Sequence, residues 1–101
     1  MDEQQRIERE LKERQAKEAQ AFKKLFLQAI RLHQTNILRN YIQTVEANAV
    51  KNGTDSEELK TWMNWAEKKV SWYDPLINDP DPLLKDHHKT QLFKEFLKEW
   101  Q

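Results

Sequence analysis

A chain of 101 residues has the length of one domain with a small core. Its 17 basic and 17 acidic side chains cancel, so the whole offers no electrostatic footprint for nucleic acid or anionic lipid. One glycine and three prolines give too little turn chemistry for an all-β or α/β fold, and the lack of cysteine excludes disulfides, zinc–thiolate sites and thiol catalysis.

No apolar run approaches the roughly 20 residues that span a bilayer. The start, Met1-Asp2-Glu3-Gln4-Gln5, has neither the basic opening nor the apolar stretch of a signal peptide. The expectation is a soluble, cytoplasmic, all-α protein of three to four helices, in which a long charged N-terminal helix runs into a small bundle. Composition places the charged extension at residues 1–21 and the bundle at 22–101.

Residues 2–24 are dominated by charge. Glu8 precedes Lys12, Glu10 precedes Arg14 and Glu13 precedes Lys17, each four apart with the acid first. Such pairs add about 0.2–0.5 kcal/mol each to a helix. Ile7 and Leu11 form a thin apolar stripe, too short for a confident coiled coil.

From Phe22 the pattern changes. Phe22, Leu25, Phe26, Ala29, Ile30 and Leu32 or His33 recur at steps of three and four, which predicts one wide apolar face. A second set follows at Ile37, Leu38, Tyr41, Ile42, Val45, Ala49 and Val50. The sets meet at His33-Gln34-Thr35-Asn36, where either a bend or a rotation of the face is expected. Gly53 reads as the glycine that ends this element.

Thr54-Asp55-Ser56-Glu57-Glu58 is the clearest helix start, with Asp55 or Thr54 as the expected cap. The helix that follows places Leu59, Trp62, Met63, Ala66, Val70 and Tyr73 on one face, with Trp65 and Trp72 on a ridge beside it. Pro75 stops it. Leu76 and Ile77 are expected to tuck inward. Asp81-Pro82 then reads as cap and first position of a last helix with Leu83, Leu84, Leu92, Phe93, Phe96, Leu97 and Trp100 as its apolar set.

Two phrases carry a resemblance. Leu38-Arg39-Asn40-Tyr41-Ile42-Gln43-Thr44-Val45-Glu46 is similar to an I/L-R-x-Y-I-x-x-V-E phrase. Trp62-x-x-Trp65-Ala66-x-x-Lys69-x-x-Trp72-Tyr73-Asp74-Pro75-Leu76 is similar to a W-x-x-W-A-x-x-K-A-D-W-Y-D-P-L ending. Both occur, in this order and after a Glu/Arg-rich coil, in the C-terminal helical parts of longer bacterial proteins without an assigned function. The match spans residues 22–77 and departs at Val70-Ser71, where Ala-Asp is usual, and at Leu32, where Trp is usual. The resemblance implies a helical C-terminal module and supplies no catalytic residues.

Sites of chemistry are sparse. Adjacent histidines such as His87 and His88 point about 100° apart on a helix and do not share an ion easily, so solvated or capping roles are preferred. The Asp74, Asn78, Asp79 and Asp81 cluster lacks the spacing, central glycine and terminal glutamate of a calcium loop. No carboxylate pair is marked by spacing for acid–base work, and neither Ser56 nor Ser71 lies in a nucleophile elbow.

The expectation is therefore a non-enzymatic interaction or oligomerisation module without a cofactor or metal. It would bind a protein partner or itself through Ile7, Leu11, Trp65 and Trp72. The alternative is the accessory region of a nucleic-acid-associated protein, touching phosphates through Lys23, Lys24, Arg31 and Arg39.

Overall fold

The computed structural model describes residues 2–99. It contains α1 (Glu3–Asn52), α2 (Glu57–Tyr73) and α3 (Asp86–Glu99), and no strand among the described residues. The fold is all-α. Trp100, expected in the apolar set of the last helix, lies outside the described residues.

Packing divides the chain into two units, Met1–Ile30 and Arg31–Gln101. The first is a helix that buries almost nothing: Ile7, Leu11, Phe22, Leu25 and Phe26 are all exposed. The division falls between Ile30 and Arg31, so that residues 22–30, which composition places with the bundle, group with the first unit. The acid-first pairs at Glu8–Lys12, Glu10–Arg14 and Glu13–Lys17 are not closed, whereas Glu3 and Arg6 approach to 3.9 Å. Long solvated side chains gain little from fixing one geometry, so open pairs are the ordinary outcome.

The second unit is a helical hairpin closed by α3. Of the two expectations for His33–Asn36, the helix continues and its apolar face rotates. Thr35, fully buried, donates its hydroxyl to the Arg31 carbonyl at 2.8 Å, which satisfies it without breaking the helix. From there Arg31, Thr35, Ile42, Val45 and Ala49 form a buried or half-buried seam at steps of three, four or seven. Leu38 completes the spacing and stays exposed. On α2 the matching seam is Leu59, Met63, Ala66, Val70 and Tyr73, alternating by four and three. Ile42, Ala66 and Val70 meet at the centre with Met63 against them. Two such seams joined by a short turn pack antiparallel.

The turn is built by its caps. Gly53, at φ +67°, ends α1: its N–H donates to Val50 O at 3.3 Å and the Thr54 N–H to Ala49 O at 2.9 Å. This is the double bond of a Schellman ending. Ser56, rather than Asp55 or Thr54, starts α2, its Oγ accepting from the Leu59 N–H at 3.2 Å. Thr54 is already committed to Ala49, so the cap moves to the residue next to the helix.

The last helix begins later than expected. Asp81 does cap, but what it caps is a turn: its Oδ2 accepts from the Leu83 and Leu84 N–H groups, both at 2.9 Å. α3 starts at Asp86, where His88 Nδ1 accepts from the Lys85 N–H at 2.8 Å in the reciprocal manner of a capping box. Leu76 and Ile77 are exposed rather than tucked in. Buried polar groups hold the loop instead, chiefly the carboxylates of Asp74 and Asp81. Asn78 takes the left-handed conformation, φ +53°, that reverses the chain there.

Candidate functional site

The second unit carries an open apolar groove of about 380 Å³. Ile42, Ala66, Val70, Trp72 and Tyr73 lie at its base, all of them buried. Its sides are Leu38 and Tyr41 from α1, Trp62 and Trp65 from α2, and Leu92 and Phe96 from α3. Lys69 is the one charged residue on its lining. Tyr41 meets Trp62 edge-on at 6.4 Å, and Phe96 meets Tyr73 edge-on at 6.3 Å. Such contacts hold aromatic rings at fixed angles.

The two tryptophan assignments made from spacing exchange places. Trp72, expected on the exposed ridge and named as a partner residue, is 4 % exposed and belongs to the core. The loop after α2 and the start of α3 cover it, and Lys89 lies over its ring at 5.2 Å. Trp62, expected inside, is 36 % exposed on the side of the groove, and Trp65 is 55 % exposed. Ile7 and Leu11 are exposed on the first unit.

A polar frame lies behind the groove's lining and touches it at Tyr73 and Lys69. Arg31 donates from Nε to the Tyr73 carbonyl at 2.7 Å, with its guanidinium 5.3 Å from the Tyr73 ring. The Tyr73 hydroxyl donates to Gln34 Oε1 at 2.6 Å inside the protein. Burial of that phenol pushes its pKa up to about 12 against the opposing pull of Arg31. Arg39 ion-pairs with Asp74, whose other oxygen accepts from the Leu76 N–H at 2.8 Å. Burial alone would raise the Asp74 pKa, but these donors outweigh it and hold the carboxyl below its ordinary value.

Lys69 donates to Asp81 at 2.5 Å. That bond and the Leu84 and Leu83 amides bring the Asp81 pKa down to about 2. Lys89 is itself buried: it donates to Asn78 Oδ1 and lies 3.2 Å from Asp86. Among the described residues no buried side-chain nitrogen or oxygen lacks a partner, and no group of three metal-ligating side chains converges. The polar frame is thus fully occupied in joining α1, α2, the loop and α3.

This occupancy decides where the proposed phosphate contacts stand. Arg31 and Arg39 are engaged within the second unit, whereas Lys23 and Lys24 are exposed on the first. The four cations do not form one patch of a single unit. Leu38, Tyr41, Leu92 and Phe96 are groove residues that sequence reading did not single out as a site. Their only signal was membership of apolar sets on helices whose mutual crossing the sequence does not give.

No helix among the described residues is long and apolar enough to cross a membrane. Compared with protein-family models, curated proteins and solved structures, the chain matches none of the three.

Proposed function

We propose that this chain is a non-enzymatic helical interaction and oligomerisation module, the C-terminal part of a longer bacterial protein. The latter half of that reading rests on the two resembling phrases at Leu38–Glu46 and Trp62–Leu76. The observation that carries the former is the groove, where Tyr41, Trp62, Trp65 and Phe96 stand exposed around an apolar base. Its volume is within the range of about 300–1,000 Å³ common for binding clefts. A small chain that leaves Trp and Tyr together on an open concave face offers the side chains that dominate protein contacts. The occupant that fits is an amphipathic helix inserting bulky apolar residues, since the lining gives a small-molecule acid or base only Lys69, already bonded to Asp81.

The phosphate-contacting alternative has less behind it, because Arg31 and Arg39 have internal partners. The test is site-specific photo-crosslinking in the native host. A photoreactive residue at Trp65 or at Leu11 is expected to give discrete protein adducts, and the same residue at exposed Glu67 on the far side of α2 is expected to give none. Absence of adducts at both Trp65 and Leu11 would end the reading.

A further inference from the structure

We propose that residues 4–28 pair with the same segment of a second copy as an antiparallel two-helix coil, with the twofold axis at residue 16. This deepens the interaction reading above and rests on it. The segment is helical throughout and all but one of its side chains, Leu27, are exposed, so its faces are set by helix geometry alone. At about 100° per residue, steps of four and three define one seam. Taken through Ile7 that seam reads Gln4, Ile7, Leu11, Arg14, Glu18, Ala21, Leu25 and Gln28.

The interruption by Arg14 and Glu18 decides the partner. In a parallel, in-register pair Arg14 faces Arg14 and Glu18 faces Glu18, two like-charge layers in the middle of the seam. In an antiparallel pair about residue 16, position i meets position 32 − i. Arg14 then faces the second copy's Glu18, twice by symmetry. The outer layers match in kind as well: Leu11 with Ala21, Ile7 with Leu25, and Gln4 with Gln28. On one flank of the seam, offset by two residues so that i meets 34 − i, Glu10 faces Lys24, again twice, and Lys17 meets its own copy; on the other flank, where i meets 30 − i, Glu8 faces Phe22 and Gln15 meets its own copy. A self-complementary sequence of this kind is what a twofold interface requires. An unrelated helix would have no reason to match it layer by layer. The paired length is roughly 36 Å.

Sedimentation equilibrium of the full chain, run across a concentration series, tests the proposal. The expected mass rises from 12.3 kDa to twice that value. Arg14→Glu alone and Glu18→Arg alone should each remain monomeric, since each places like charges in both central layers. An equal mixture of the two should recover the dimer, and so should the double variant. All these positions are exposed, and unchanged tryptophan emission reports that the second unit stays folded.

Direction is read separately. The chain has no cysteine, so Gln4→Cys and Gln28→Cys can be introduced singly. Oxidation should link the unlike variants when mixed and leave each alone unlinked. A monomer at every concentration, a dimer indifferent to both charge reversals, or linkage between like variants would each overturn the proposal. Adducts at Trp65 alongside a strict monomer would remove this pairing and leave the broader reading standing.

Discussion

Asp81 takes hydrogen bonds from three donors on two oxygens, and each oxygen serves a different demand of the fold. Lys69 ties it to α2, while the Leu83 and Leu84 amides shape the turn that leads to α3. With the carboxyl held at about 2, the folded state binds its proton later than the unfolded chain does. The stabilisation is therefore complete above the ordinary carboxylate range, near 4, and disappears as pH falls through about 2. Asp74 acts in the same direction. The urea midpoint should fall steadily over that window, and Asp81→Asn should flatten the slope; an unchanged slope would remove Asp81 from the account. Tyr73 works at the other end. Its raised pKa stabilises the fold below about 10 and ceases to do so as pH rises through about 12. Trp72 and Trp65 make the sharpest residue-level contrast. Trp72→Ala removes a buried indole and should cost about 3–5 kcal/mol, enough to unfold a domain of this size. Trp65→Ala should stay within about 0.5 kcal/mol of the parent by thermal melting, as exposed substitutions do. Sequence spacing treated these two alike because they lie seven apart on α2. Spacing fixes the azimuth of a side chain, but it does not reveal that Lys89 and the loop will close over one of the two.

Elements here are set by their ends more than by their middles. Gly53 lies at φ +67° with nothing within 4 Å of where a Cβ would stand, so the cost of a side chain is purely conformational. Gly53→Ala should destabilise by about 1–2 kcal/mol, the cost of a left-handed residue. Asp55→Ala should be nearly silent, whereas Ser56→Ala should cost about 0.5–2 kcal/mol, because Ser56 is the residue bonded to the Leu59 amide. Equal losses at Asp55 and Ser56 in urea titrations would contradict this division. The stop at Gly53, the start near Ser56 and the stop at Pro75 were all legible, since each is local chemistry written in a few adjacent residues. The start of α3 was not. Asp81-Pro82 has the composition of a helix start and does cap amides, yet Lys89 must reach Asn78 and cover Trp72, which sets α3 beginning at Asp86. The cap that serves it, His88 on Lys85, is one of the roles expected for the two histidines, but the expectation named no helix start for it to serve. Likewise Gln34 and Thr35 looked like a lapse in α1, because the partners that make them suitable for burial, the Tyr73 hydroxyl and the Arg31 carbonyl, are supplied by folding.

At the scale of the molecule, one helix serves two units with opposite sources of stability. From Arg31 onward α1 is held by Ile42, Ala66 and Val70 and by the polar frame at Tyr73 and Asp74. Before Ile30 it has helix propensity and exposed charge, with no core of its own. Propensity alone leaves helices marginal in water, because each opened turn loses only backbone bonds that water can replace. Backbone amides of residues 7–25 should therefore open at a cost on the order of 1–2 kcal/mol, while those near Ile42 and Val70 open only with global unfolding. Hydrogen exchange followed by mass spectrometry at low protein concentration should separate the two stretches into a fast and a slow class. Raising the concentration then tests whether the first unit gains a partner. Pairing would slow exchange across Ile7–Leu25 and leave the slow class where it was, and added salt should reverse part of the gain, since Arg14, Glu18, Glu10 and Lys24 are exposed charges subject to screening. If residues 7–25 are as protected as residues 38–49 in the most dilute sample, the first unit has a source of stability within the single chain, and the division into a packed unit and an unpacked one fails.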